Sequence, residues 1–376
     1  MEVLTDGLID GLIDGHCHRV LARDLDRAAF ETACTEADLP PPPGVSYLDS
    51  RVGLAVRRWC APALGLPVHA PADDYLARRA ELGWWATTGA LLRAAGLAEL
   101  LVDTGLDDPD LLGDAGLAAA SGARVREVVR LERVAETLPA DTGAAEFAAA
   151  FAAALDGRVR TAAAVKSVAA YRHGLAVPAR PPPPRAVQRA AGAWLRGGGG
   201  RITDPDLLGH LLWAGVGTGL PLQLHTGFGD RDLALHRADP ALAQPFLAAL
   251  DPRGAPVVLL HCYPFHRNAG WLAQVYPHVH VDVGLTLTHV GDAVLPEFFE
   301  LAPFGKLLFS TDAYLLPELY LVGAARFRHA LRRLLDTWRA DDSVSIADAE
   351  RITALVGAGN ARRLYGPGTT LSAPVT

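Results

Sequence analysis

Eight short apolar runs, each ending in a polar, histidine-bearing or glycine-bearing turn, limit what this chain can fold into more than any other feature. They are Leu8–Asp14, Leu97–Asp103, Val125–Leu131, Thr161–Val165, Leu220–Leu224, Pro256–Leu260, His278–Val283 and Lys306–Ser310. Several are continuously apolar, as parallel strands buried on both faces should be. Helix-period text lies between them, clearest at Glu146–Leu155, Arg185–Leu195, Asp206–Ala214, Asp239–Leu250 and Leu321–Trp338, with Asp204 or Asp206 placed to cap the third. Eight strands alternating with helices predict an α/β fold, a (β/α)8 TIM barrel. Periodicity cannot close a barrel, so an open doubly wound sheet is the structural alternative.

The runs are unevenly spaced. The stretch Leu21–Gly96 between the first two contains Pro40–Pro43, Trp84-Trp85 and helical text such as Tyr75–Leu92. A loop of that length without its own structure would be unusual, so it reads as a helical insertion after the first strand that caps the barrel mouth. Pro181–Pro184 and Gly197–Gly200 bracket a helix as spacers, and the repeated DGLIDG is too short for a repeat fold. The organisation expected is one unit over 1–366, with 21–96 inserted and a poorly ordered tail at 367–376.

The formal charge of −7 gives non-specific nucleic-acid binding no electrostatic support. Four cysteines, Cys17, Cys34, Cys60 and Cys262, contain no C-x-x-C pair and make no disulfide framework. Glu2 and Asp6 stand where a signal peptide would be basic. No uncharged apolar run reaches the ~18 residues that span a bilayer. The expectation is a soluble, cytoplasmic protein acting on a small molecule, with no nucleic-acid or membrane partner and with homo-oligomerisation left open. Only Lys166 and Lys306 are lysine, every other basic side chain being arginine; a lysine at a strategic position therefore stands out.

The first run ends in His16-Cys17-His18. Alternate strand residues point to the same side, so both imidazoles can face one ion while Cys17 packs away from it. His225, His261 and Asp312 each end a separate run, and strand C-termini of a barrel converge on one mouth. Imidazole with carboxylate suits zinc or another divalent first-row metal. For any one of these residues a core histidine or a helix cap is the simpler account; for the ordered set it is not.

At these residues the sequence resembles the amidohydrolase superfamily, whose pattern is H-x-H on strand one, often a lysine on strand four, then His, His and Asp on strands five, six and eight. Here those are His16 and His18, Lys166, His225, His261 and Asp312. The stretches VKSVAAYRHGL, LHTGFGDRDL, LLHCYPFHRNAGWLA, FSTDAYLLPE and GNARRLYG are similar to a branch that includes the amidohydrolase portion of glutamine-synthetase fusion proteins. The resemblance implies one divalent ion, zinc first, on His16, His18, His225 and Asp312. Asp312 then acts as proton carrier, His261 orients the water, and Lys166 stands nearby. If Lys166 were carboxylated it would bridge to a second ion, with His261 as that ion's ligand.

Arg172 is placed to bind a substrate carboxylate, and Tyr263 and His266 to line the pocket. Asp230 and Asp232 orient a ligand or cap the following helix, and His289 and Glu318 are candidates to reach the mouth. The chemistry expected is hydrolysis of an amide-type C–N bond in a carboxylate-bearing small molecule by a metal-activated water. The rivals are a metal-dependent decarboxylase of the same superfamily and a non-catalytic barrel that binds without reacting.

Overall fold

The computed structural model describes residues 11–366. The start of the first apolar run, the acidic N-terminal residues and the tail 367–376 lie outside the described residues. Within them, the strands are β1 (Leu12–Cys17), β2 (Leu97–Asp103), β3 (Arg124–Arg130), β4 (Ala164–Ser167), β5 (Leu222–Thr226), β6 (Val257–His261), β7 (Val279–Asp282) and β8 (Leu307–Leu308). Each overlaps one of the eight runs, and neighbours pair in parallel in chain order.

The ring closes by a different device. β8 has only two ladder residues, and the extended chain beyond it carries the seam to β1. Gly15 N donates to Phe309 O at 3.0 Å, Asp312 N to His16 O at 3.0 Å and His18 N to Ala313 O at 2.8 Å. A Cβ at Gly15 would stand 3.1 Å from Phe309 O, so a side chain there would press the seam apart. These bonds also fix His16, His18 and Asp312 against one another through their backbones.

Inward residues Ile13, Leu101, Val128, Val258, Leu260 and Leu308 fill the barrel and meet Leu364 and Tyr365 of the helix Asn360–Tyr365. Asn360 Nδ2 donates to Phe304 O (2.7 Å) and Leu307 O (2.8 Å) at the start of β8. The GNARRLYG stretch thus plugs the end opposite the strand C-termini. Lys306, the second lysine, donates to the carbonyls of Ala273 and Tyr276 at the end of the helix His266–Val275.

Most helices follow the sequence pattern. Asp204 caps Pro205–Gly217 by accepting from Asp206 N and Leu207 N. The exception is Asp239–Leu250, which is a 3-10 turn, Pro240–Ala243, followed by a short helix, Gln244–Ala249. Pro245 has no N–H to continue a helix through that join.

The stretch 21–96 divides in two. Its second part ends in the long helix Ala72–Ala95, kinked at Gly83, which packs along Pro317–Ala340 and leads into β2. Glu318 is buried there and accepts from Tyr75 Oη (2.9 Å) and Arg79 Nε (2.7 Å). Glu318 therefore anchors this helix to the barrel instead of reaching the mouth. The first part, 21–40, with the helix Arg27–Ala33, runs over the strand C-termini. No helix among the described residues is long and apolar enough to cross a membrane.

Candidate metal centre

The strand ends bring their polar side chains together as the run pattern requires. His16 Nε2 is 3.2 Å and His18 Nε2 3.4 Å from Asp312 Oδ1, and His261 Nε2 is 3.4 Å from Asp312 Oδ2. His225 lies between Tyr171 and His261, with ring centroids 4.5 and 4.7 Å away. His261 (φ 66°) and Asp312 (φ 49°) both adopt left-handed backbone, a strained conformation for residues with a Cβ that is typical of functional positions. Cys17 faces the other way, with its thiol on Leu101 O in the core.

A chain of buried hydrogen bonds sets the first imidazole. Gln223 Nε2 donates to Gly15 O (2.7 Å) and Tyr365 Oη (3.0 Å), which turns Gln223 Oε1 toward His16 Nδ1 at 2.9 Å. An oxygen can only accept, so His16 carries its proton on Nδ1 and presents the Nε2 lone pair. Lys166 Nζ donates to that lone pair at 3.0 Å. Asp103, at the end of β2, is 4.0 Å from Lys166 and accepts from Arg130 Nη2 at 2.6 Å. The run pattern had placed no ligand on β2, although Asp103 ends its run as Asp312 does.

Burial pushes His16 down to about 4 and His261 to about 3, and His225 well below the usual imidazole range. All three are neutral lone-pair donors at pH 7. Burial lowers Lys166 to about 8, against the pull of Asp103 and Asp312.

This arrangement fits a cation. His16 Nε2 and Asp312 Oδ1, both acceptors, face each other at 3.2 Å, and Asp312 Oδ1, His225 Nε2 and both nitrogens of His261 have no hydrogen-bond partner. Buried acceptors left opposed in this way are costly unless a positive ion lies among them. Two sets hold their ligand atoms within 4.8 Å of one another: His16, His261 and Asp312, and His16, His18 and Asp103. His225 is in neither compact set, and its free Nε2 opens on the same cavity.

That cavity, about 780 Å³, opens above the centre. His18, Lys166, His225 and Asp312 form its floor, and residues between Leu21 and Pro40 one wall. Arg172 lines it but is already paired with Glu136 at 2.9 Å. Tyr263 and His266 do not line it; their rings stack on each other, and His266 is bonded to Glu297. The turn after β6 carries a cis Tyr263-Pro264 bond. Asp230 and Asp232 line the wall without capping a helix: Asp230 accepts from Asp232 N in a local turn, and Asp232 pairs with Arg201 at 2.6 Å. The short 3-10 turn that follows, Leu235–Arg237, begins after Ala234.

No family model matches the chain. A protein of Lactobacillus casei ATCC 334 taken to be a metal-dependent hydrolase superposes with a TM-score of 0.86 at 27% identity, over 99% of this chain and all of that one. The resemblance to the amidohydrolase superfamily stands. Protein fluG of Emericella nidulans is 37% identical over 150 residues, which are 39% of this chain and only 17% of fluG. A glucuronate isomerase of Caulobacter crescentus shares the fold, with a TM-score of 0.64 at 16% identity over 96% of this chain and 93% of its own. The amidohydrolase-type order of strand-end residues and the metal-hydrolase neighbour agree with the opposed acceptors at the floor.

Proposed function

We propose that the chain is a metal-dependent hydrolase that cleaves an amide-type C–N bond in a small molecule, with His16, His18, His225 and Asp312 as ligands of one divalent ion, zinc first. The observation that carries this reading is the opposed pair of acceptors, His16 Nε2 and Asp312 Oδ1, beneath an open cavity. A divalent ion held there supplies an acidified water and a Lewis acid for the scissile carbonyl.

The protein's own groups do the rest. Asp312 Oδ2 stands free of His16 and His18 and 3.4 Å from His261, where it can take a proton from the attacking water and return it to the leaving amine. His261, neutral and unbonded, orients that water. Gln223 keeps the His16 lone pair aimed at the floor. The Lys166 ammonium donates to that lone pair at 3.0 Å and would have Asp103, 4.0 Å away, as its partner if an ion were held by His16. A second arrangement has its own support: with burial lowering Lys166 to about 8, some neutral amine is present near pH 7, the form that carboxylation and a bridged second ion require.

The test is amine release from small amides by protein loaded with zinc, by metal-stripped protein and by Asp312→Asn. Activity confined to the loaded wild type supports the reading; carbon dioxide release without amine would replace it with the decarboxylase. Zinc stoichiometry in bicarbonate, with and without Lys166→Ala, separates one ion from two.

A further inference from the structure

The charges around the cavity leave a residue of one sign. Its arginines are committed to acids: Arg23 to Asp110 (2.9 Å), Arg130 to Asp103 (2.6 Å), Arg172 to Glu136 (2.9 Å) and Arg201 to Asp232 (2.6 Å). Among the wall acids, Asp38 pairs with Arg231 at 2.6 Å, and Asp26 caps the helix Arg27–Ala33. Glu36, from the segment over the mouth, and Asp230, from the loop after β5 and with its carboxylate bonded only to Asp232 N, remain alongside the capping Asp26. Neither is in an ion pair with an arginine or lysine among the described residues. Glu36 has a third of its side-chain surface (33%) open, and its one charged-type neighbour is His289, 3.8 Å away. Burial pushes His289 down to about 4, so it stays neutral and gives no compensation.

We propose that Glu36 and Asp230 form a cation-accepting subsite in the cavity wall, and that the substrate carries an ammonium-type group beyond the bond it presents to the floor. The inference rests on the metal-dependent hydrolase reading. It does not rest on the acids alone, because the same cavity ends on His225, which is 5% exposed and has Nε2 unpartnered. One space thus connects the lone pairs of the floor to the uncompensated carboxylates of the wall. Burial raises Glu36 to about 8, with Asp312 and Asp230 adding to the rise, and burial raises Asp230 as well. An ammonium seated between them reverses that repulsion, and the carboxyls ionise against it. The same arithmetic disfavours a carboxylate at this end, since each arginine of the lining already stands in an ion pair, although Arg172 Nη1 makes no hydrogen bond within its pair with Glu136.

Three hydroxamic acids of one length test the sign of the subsite, because they share a metal-chelating head and differ only at the far end. These are 6-aminohexanohydroxamic acid, heptanohydroxamic acid and the monohydroxamate of pimelic acid; a second set two methylenes shorter brackets the span. Their affinities for zinc-loaded protein at pH 7 are read by calorimetry. The ammonium-ended probe should bind about tenfold tighter than the methyl-ended one, a step of one decade in Kd, with the carboxylate-ended probe weakest. Glu36→Gln should reduce that preference to about threefold or less while leaving the methyl-ended probe unchanged, and Asp230→Asn should act in the same direction. Equal affinities, a preference for the carboxylate end, or a preference unaltered in both variants would overturn the proposal. The hydrolase reading fails separately, if metal-stripped protein binds all three probes as tightly as loaded protein does.

Discussion

The floor and the wall of the cavity are built by opposite means. The floor is held by backbone bonds across the β8–β1 seam and by a buried chain from Tyr365 through Gln223 to His16. The wall contributed by residues 21–40 is anchored from behind by Phe30 in the core, but its side toward the cavity carries ion pairs that water reaches, such as Arg231–Asp38, whose side chains are 66% and 44% exposed. Buried and fully partnered groups keep one geometry, whereas exposed pairs hold loosely. On the proposed hydrolase reading the difference separates two tasks: the floor would fix the reacting atoms, and the wall would select what reaches them.

The largest expected effect comes from breaking the floor. Asp312→Asn should lower amide hydrolysis by ~10²–10⁴-fold, the range lost with a general acid–base group, and should lower metal content measured on the same preparation. A floor that kept full metal and full rate without this carboxylate would end the contrast. Next is the anchor that joins the 72–95 helix to the barrel. Glu318→Ala leaves Arg79 as an unpaired buried charge, and removing one partner of such a pair costs about 3–5 kcal/mol. Its Tm should fall well below that of the wild type while the metal site, once folded, keeps its affinity.

Gln223→Leu should cut zinc affinity by about 10–100-fold, as loss of a group that orients a ligand does, and should also lower Tm because His16 Nδ1, Gly15 O and Tyr365 Oη lose a buried partner; competition with a chelator of known affinity measures the first effect. The smallest effect should come from Arg231→Ala in the wall. An exposed pair contributes about 1 kcal/mol or less, so Tm should barely move, and any change should appear in KM more than in kcat. If Arg231→Ala proved as damaging as Gln223→Leu, the wall would be as rigid as the floor.

Much of this was legible in the residues themselves. Buried parallel strands must be apolar along their length, so the eight runs stand out, and the ends of barrel strands converge on one mouth. That logic singled out His16, His18, Lys166, His225, His261 and Asp312 as candidates, and the structure brings them together. It passed over Asp103 because an aspartate before Thr104-Gly105 reads equally well as a turn residue, and its acceptor role shows only once Arg130 and Lys166 are seen around it. Gln223 was hidden within an apolar strand, where nothing local tells an outward polar residue from one reaching across the barrel. Glu36 lies in irregular chain, whose path no periodicity reports. Arg172 and His266 misled for a related reason: charge type and position after a strand are visible in a sequence, but the partners that claim them, Glu136 and Glu297, come from distant positions.

The last described helix has a consequence in time. Tyr365 holds Gln223, and Gln223 sets which nitrogen of His16 is left bare. His16 leaves the ribosome long before Tyr365 does, so until Tyr365 emerges the H-x-H pair exists without the prop that orients it. A nascent chain that met free metal early would offer it two mobile imidazoles and no finished pocket. On the proposed one-ion reading, tight uptake would wait until the barrel is plugged from below, and a loaded ion would then record that the chain had been translated through residue 365 and had closed.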